Sequence, residues 1–203
     1  MRPLLHVLAV AVCLFVCAGA QAAGNVEQGK LRAQTCMGCH GAPGERNAYP
    51  GYHIPKLGGQ HAFYIISALK EYKEKKRWHP TMQAQASTLS EQDRENVAAY
   101  FSSMRKPASN DVSTNNPFKQ CAACHGKDGN SPNDPSKTQG APILAGQYPD
   151  YIMQALHDYK SGKRKNPIMN AMASGLSDQR IETIADFLSR QQGLVAPHIG
   201  HWR

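Results

Sequence analysis

Apolar residues recur at helical spacing in several segments, and two pairs of these segments match each other. Between residues 63 and 76, Ile65, Ile66, Leu69 and Tyr72 fall on one face of a 3.6-residue period, which predicts an amphipathic helix. Ser90-Glu91-Gln92-Asp93 reads as a serine N-cap with acids in the first turn. The helix it opens carries Val97, Ala98, Tyr100 and Phe101. The design then returns at a constant offset of 87, through Tyr64/Tyr151, Ile65/Ile152, Leu69/Leu156, Arg77/Arg164, Pro80/Pro167, Met82/Met169 and Ser90/Ser177. The helix reopened at Ser177 carries Ile181, Ile184, Phe187 and Leu188. A further helix is expected over 26–35, capped by Asn25. Its counterpart over 110–120 is short and polar, which predicts a stunted opening helix in the second copy. Strand signals are nearly absent.

A fixed internal period means repeated structural units. The expected architecture is all-α, with two tandem units at 23–104 and 119–203 joined by a Ser/Asn/Pro-rich linker at 105–118. The long stretches from Gly41 to Gly59 and from Gly126 to Gly146 are irregular and rich in Pro and Gly. Units this small bury little apolar area and ordinarily need a staple. Before them, Arg2, the apolar run Leu4 to Ala18 and Ala20-Gln21-Ala22 read as a secretory signal cleaved after Ala22, which directs the chain to the periplasm.

Composition narrows the class without identifying the chemistry. With 203 residues, 13 Pro, 17 Gly and 7% aromatics, the chain is no multi-span membrane protein, coiled coil or collagen. The formal charge of +8 concentrates partly in Lys70, Lys73, Lys75, Lys76 and Arg77, and in the echo Lys160, Lys163, Arg164 and Lys165. Such runs suit helix ends, and they also suit a patch that steers an acidic partner. Nucleic acid is not an expected partner of an exported chain.

The chemistry lies in the cysteines. Cys36-Met37-Gly38-Cys39-His40 and Cys121-Ala122-Ala123-Cys124-His125 are both C-x-x-C-H, the attachment pattern of c-type haem. Two thiols at this spacing reach the two vinyl groups of one haem edge, and the adjacent histidine meets the iron. A redox C-x-x-C pair would want a βαβ context, and a zinc knuckle would want more ligands at tight spacing. Two covalently bound haems are therefore expected, with Arg77 and Arg164 suited to pairing with their propionates. The sixth iron ligands predicted by the repeat are Met82 and Met169, in matched loops eight residues before Ser90 and Ser177. His79 and Met172 are rivals, but their counterparts are Asn166 and Gln85. Thioether opposite imidazole raises the potential and leaves no open coordination site. That favours electron transfer over catalysis. Pro55 and Pro142 are matched as well, and a carbonyl there suits the second ring N–H of His40 and His125.

These motifs resemble the dihaem cytochrome c4 family, most clearly in Asp128-Gly129-Asn130-Ser131-Pro132, Leu144-Ala145-Gly146-Gln147 and Leu176-Ser177-Asp178-Gln179. The first copy keeps Leu57-Gly58-Gly59-Gln60 but lacks the Asp-Gly-Asn-Ser stretch after His40. The resemblance implies two class I cytochrome c-like domains related by a pseudo-twofold axis, each wrapped around one covalently attached haem. It implies thioethers at Cys36, Cys39, Cys121 and Cys124, and iron held by His40, Met82, His125 and Met169. It also implies a periplasmic monomer, at most peripherally associated with the membrane, that takes electrons from a quinol-oxidising complex (quinol:cytochrome c reductase) and gives them to a terminal oxidase. Two other readings are the haem subunit of a flavocytochrome-type dehydrogenase, and a dihaem peroxidase or thiosulfate-oxidising enzyme with an open axial site.

Overall fold

A computed structural model describes residues 24–48, 51–105 and 116–197. The predicted signal 1–22, linker residues 106–115 and the terminal His198, His201 and Trp202 lie outside the described residues. The first unit comprises α1 (Val26–Arg32), α2 (Gln34–His40), α3 (Ala62–Lys73), α4 (Pro80–Ser87) and α5 (Glu91–Ser102). The second opens with a 3-10 turn, Lys119–Cys121, followed by α6 (Ala122–His125), α7 (Pro135–Thr138), α8 (Pro149–Lys160), α9 (Pro167–Ser174) and α10 (Asp178–Ser189). Extended pairing among the described residues is limited to the isolated bridges Arg46–His53 and Gly58–Val195.

The helix signals act locally as expected. Asn25 caps α1 by accepting from the Gln28 N–H. Ser90 and Asp93 form a reciprocal capping box on α5, and Ser177 accepts from the Arg180 N–H at the start of α10. The helix expected over 26–35 is divided at Ala33, whose αR backbone closes α1 and opens α2. Met82 and Met169 sit inside helices, not in the loops expected. Pro80 and Pro167 occupy the first turns of α4 and α9, where a missing N–H costs nothing.

Packing in the first unit starts from Gly29. A Cβ there would lie 1.9 Å from the Asn96 carbonyl oxygen and 2.9 Å from Tyr100 Cβ, so only glycine lets α1 press onto α5. Asn25 N–H donating to Asn96 Oδ1 at 2.8 Å and the Arg32–Asp93 pair at 3.3 Å fix the register. The core beneath is Met37, Ile65, Leu69, Leu89, Val97 and Phe101. In the second unit the described residues before Cys121, from 116 on, hold a turn and a 3-10 helix, and most of the polar run expected to be stunted lies outside the described residues. Phe118 lies three residues before Cys121, as Ala33 does before Cys36. Its ring is fully buried against Phe187, with centroids 6.3 Å apart, and replaces a helical turn by one large side chain.

The two units join by reciprocal contacts that follow the offset of 87. Arg77 donates to the Tyr151 hydroxyl and Arg164 to the Tyr64 hydroxyl, both at 2.7 Å. Gln60 Nε2 donates to the Ile143 carbonyl at 2.9 Å, and Gln147 Nε2 to the Lys56 carbonyl at 3.1 Å. The chain after α10 then runs back between the units. Leu194 N–H donates to the Ala145 carbonyl, and Val195 exchanges both backbone bonds with Gly58. His53 adds a contact without counterpart, with Nδ1 2.7 Å from Asp150 Oδ2 and its ring stacked on Tyr148.

The repeat also exposes one strained position. Lys75 has φ +58°, and its counterpart Gly162 has φ +76°. The left-handed region costs an L-residue about 1–2 kcal/mol, and glycine visits it freely. Lys75→Gly is therefore expected to stabilise the protein by about 0.5–1 kcal/mol, and Gly162→Ala to destabilise it by about as much. Paired urea unfolding curves check both signs.

Candidate functional site

Each unit encloses a cleft beside its cysteine motif. The first, about 1400 Å³ including its open mouth, is lined by Cys36, Cys39, His40, Leu57, Ile65, Met82 and Phe101 among others. The second, about 1060 Å³, is lined by Cys121, Cys124, His125, Leu144, Ile152, Met169 and Leu188. Both walls are mainly hydrocarbon, as a porphyrin plane requires. All eight residues expected from the sequence therefore come together, four in each cleft. The units share part of the wall, since Tyr64, Pro142, Leu144 and Tyr151 line both clefts.

Local folding explains how each side chain arrives. His40 and His125 are the last residues of α2 and α6, so each cysteine pair and its histidine sit on one or two helical turns. His40 Nδ1 donates to the Pro55 carbonyl at 2.8 Å, and His125 Nδ1 to the Pro142 carbonyl at 3.1 Å. A carbonyl only accepts, so each Nδ1 carries the proton and each Nε2 keeps its lone pair for a metal. Burial lowers the pKa of both rings, which keeps them neutral as a metal ligand must be. Burial raises the thiols of Cys36 and Cys121, and none of the four cysteines is in a disulfide.

The helix caps explain where the methionines stand. His79 Nδ1 accepts from the Met82 N–H at 3.3 Å while its Nε2 faces Asn47 Oδ1 at 3.3 Å. Asn166 Oδ1 accepts from the Met169 N–H at 3.0 Å. The His79/Asn166 position is thus an N-cap that aims the following methionine. This is why histidine and asparagine exchange there. Met172 also lines the second cleft but is 41% exposed.

The clefts carry a charge requirement too. The basic runs divide by burial: Arg77 and Arg164 are each only 8% exposed, while Lys70, Lys75, Lys163 and Lys165 face solvent. Lys73 and Lys160 Nζ donate to the carbonyls of Leu89 and Leu176 at the bases of α5 and α10. Arg77 lies 4.6 Å from the Tyr72 ring centroid and Arg164 4.6 Å from that of Tyr159. Burial pushes the Tyr72 phenol up to about 12, so this neighbour is neutral. Among the described residues no carboxylate pairs with either guanidinium, and the buried Arg164 Nε has no hydrogen-bond partner. An unpaired buried cation costs several kcal/mol. A cofactor that brings carboxylates to this seam, as haem does with its propionates, meets that requirement, so the residues present fit the group.

Sequence reasoning missed the two glutamines and the partners they hold. Gln60 and Gln147 stand in the repeated Gly-Gln pair, but hydrogen bonds to the opposite unit leave no trace in a hydrophobic pattern.

Comparison with known proteins agrees with this geometry. The family model described as cytochrome c matches twice, over residues 26–105 and 115–192. Cytochrome c4 of Pseudomonas aeruginosa is 31% identical over 193 residues, covering 86% of this chain and 91% of the relative. A thiosulfate dehydrogenase electron acceptor of Stutzerimonas stutzeri is 28% identical, covering 77% of this chain and 79% of its own length. The crystal structure of reduced recombinant cytochrome c4 from Pseudomonas stutzeri superposes with a TM-score of 0.66 at 29% identity, over 85% of this chain and all of that one. Two helical units, each with a C-x-x-C-H cleft, and relatives matched across most of the chain make it a member of the cytochrome c4 family, an electron-transfer protein with two tandem cytochrome c domains and two covalently bound c-type haems.

Proposed function

We propose that the chain is a periplasmic carrier that takes electrons singly from a quinol-oxidising respiratory complex and delivers them to a terminal oxidase. Cys36 and Cys39 in the first domain, and Cys121 and Cys124 in the second, would attach the haems as thioethers. His40 with Met82, and His125 with Met169, would hold the two irons. The observation that carries this reading is that each cleft offers one neutral imidazole and one thioether, from different helices. Bound haem iron supplies a ferric–ferrous couple.

The chain's own residues do the rest. Pro55 and Pro142 orient the imidazoles by accepting their N–H groups. Methionine sulfur at the iron would favour the ferrous state and leave oxygen and peroxide no place to bind. Arg77 and Arg164 would balance the propionates at the seam. Exposed Lys70, Lys75, Lys163 and Lys165 steer an acidic partner. Transient contacts of this kind are small, and their rates fall as salt screens them.

Mixing the reduced protein with a terminal oxidase, and the oxidised protein with a quinol-oxidising complex, tests the placement. Both reactions are expected to be fast and to slow with ionic strength. Carbon monoxide or cyanide binding to the native protein at neutral pH would refute closed ligation and support an enzyme. The similarity to a thiosulfate dehydrogenase electron acceptor favours a second reading, in which a dehydrogenase is the donor. Reduction by such a dehydrogenase with thiosulfate, but not by the quinol-oxidising complex, would decide for it.

A further inference from the structure

The peptide group joining Pro55 to Lys56 is engaged at both ends, and the two ends meet different domains. Its oxygen accepts from His40 Nδ1–H at 2.8 Å. Its N–H donates to Gln147 Oε1, from the second domain, at 2.9 Å. The repeat builds the same device with the domains exchanged. The Pro142–Ile143 peptide accepts from His125 Nδ1–H at 3.1 Å and donates to Gln60 Oε1, from the first domain, at 2.9 Å. Both glutamines are 4% exposed. Each amide is held further by the next residue, since His61 N–H donates to Gln60 Oε1 at 3.0 Å and Tyr148 N–H to Gln147 Oε1 at 3.1 Å.

We propose that the glutamines are crossed positioning residues: Gln147 tunes the haem of the first domain, and Gln60 tunes the haem of the second. Hydrogen bonds in series polarise one another, so a peptide whose N–H is bonded has a more basic carbonyl. That carbonyl draws the imidazole proton harder. A more imidazolate-like ligand donates more charge to iron and favours the ferric state. Removing the glutamine acceptor weakens the series and favours ferrous iron, but only at the haem across the interface. Docking of the domains is thereby written into both potentials. The device rests on the proposed ligation by His40 and His125.

The test uses the full-length holoprotein carrying Gln147→Met or Gln60→Met, a similar volume with no amide oxygen. In Gln147→Met, the ferric-to-ferrous ratio of the first haem at fixed applied potential is expected to fall about threefold, which is about 28 mV upward at 59 mV per tenfold for a one-electron couple. The second haem stays in place. Gln60→Met gives the mirror image. In the fully reduced protein, the ¹⁵N signal of His40 Nδ1 moves in the first variant and that of His125 Nδ1 in the second.

Movement of the haem in the mutated domain, equal movement of both, or movement of neither overturns the proposal. If Gln147→Met does not fold, Gln147→Glu serves. It keeps an acceptor on the Lys56 N–H with added negative charge, and is expected to lower the first potential more than the second. Equal lowering of both would overturn the proposal. Failure of the underlying ligation is visible separately, because wild-type His40 and His125 would then lack the large ring-current shifts of haem-bound imidazoles.

Discussion

Met169→Ala is expected to lower the potential of the second haem by roughly 0.2 V, a quarter of the ~0.8 V span over which axial ligands move haem potentials. The proposed thioether favours ferrous iron, and alanine leaves either water or an empty position in its place. Three readouts should change together. The ferric thioether-to-iron absorption band falls to half its intensity, one of the two redox waves moves down, and carbon monoxide binds at one iron per chain. Met82→Ala should do the same at the first haem, and the double variant should lose the band entirely. Met172→Ala is the control. Met172 lines the same cleft but is 41% exposed and pairs by the repeat with Gln85, so its loss should leave band and waves unchanged. The helix caps add a graded version. Asn166→Ala removes the 3.0 Å bond to the Met169 N–H, which costs α9 about 1 kcal/mol and should raise the rate at which external ligands enter. An unaltered spectrum and midpoint in both Met82→Ala and Met169→Ala would defeat the proposed ligation.

Much of this site was legible because its chemistry is local. C-x-x-C-H places two thiols and an imidazole on consecutive turns, and no tertiary information is needed to see it. The proposed axial methionines are not local to the cysteines, yet the repeat acts as an internal alignment that sets Met82 and Met169 apart from five other methionines, and both line the clefts. The caps at Asn25, Ser90 and Ser177 are also legible from side-chain type. What escaped was set by long-range backbone geometry. The loop placement of both methionines fails because proline is tolerated in a first helical turn, so Pro80 and Pro167 open α4 and α9 instead of interrupting them. Arg77 and Arg164 read from the sequence both as members of basic runs and as partners of propionates, but burial of a cation is invisible until its phenolic neighbours are placed. Gln60 and Gln147 carried a signal in the repeated Gly-Gln pair, but their partners lie 83 and 91 residues away in sequence. The return of Leu194 and Val195 between the domains had no periodicity to announce it.

Blocking haem attachment in the second domain is expected to unfold that domain and spare most of the first. The variant is Cys121→Ala with Cys124→Ala. Domains of this size rarely gain more than ~3–5 kcal/mol from a single core. In the second domain the core of Phe118, Ile152, Ile184, Ala185, Phe187 and Leu188 lines or flanks the haem cleft, so loss of the cofactor strips contacts from most of it. Among the described residues its cysteine segment has a single 3-10 turn and the four residues of α6. The first domain differs in one respect that matters. Helix α1, seated on α5 through Gly29 and tied by Asn25–Asn96 and Arg32–Asp93, makes a sub-core away from the cleft. Limited proteolysis of Cys121→Ala/Cys124→Ala should therefore cut throughout 116–197 while 24–105 survives with its haem spectrum. Circular dichroism should lose the helix content of α8 to α10. The converse variant, Cys36→Ala with Cys39→Ala, should retain protection in α1 and α5, and adding Gly29→Val should remove it. Equal protection of both haem-free domains would mean that α1 contributes no independent stability.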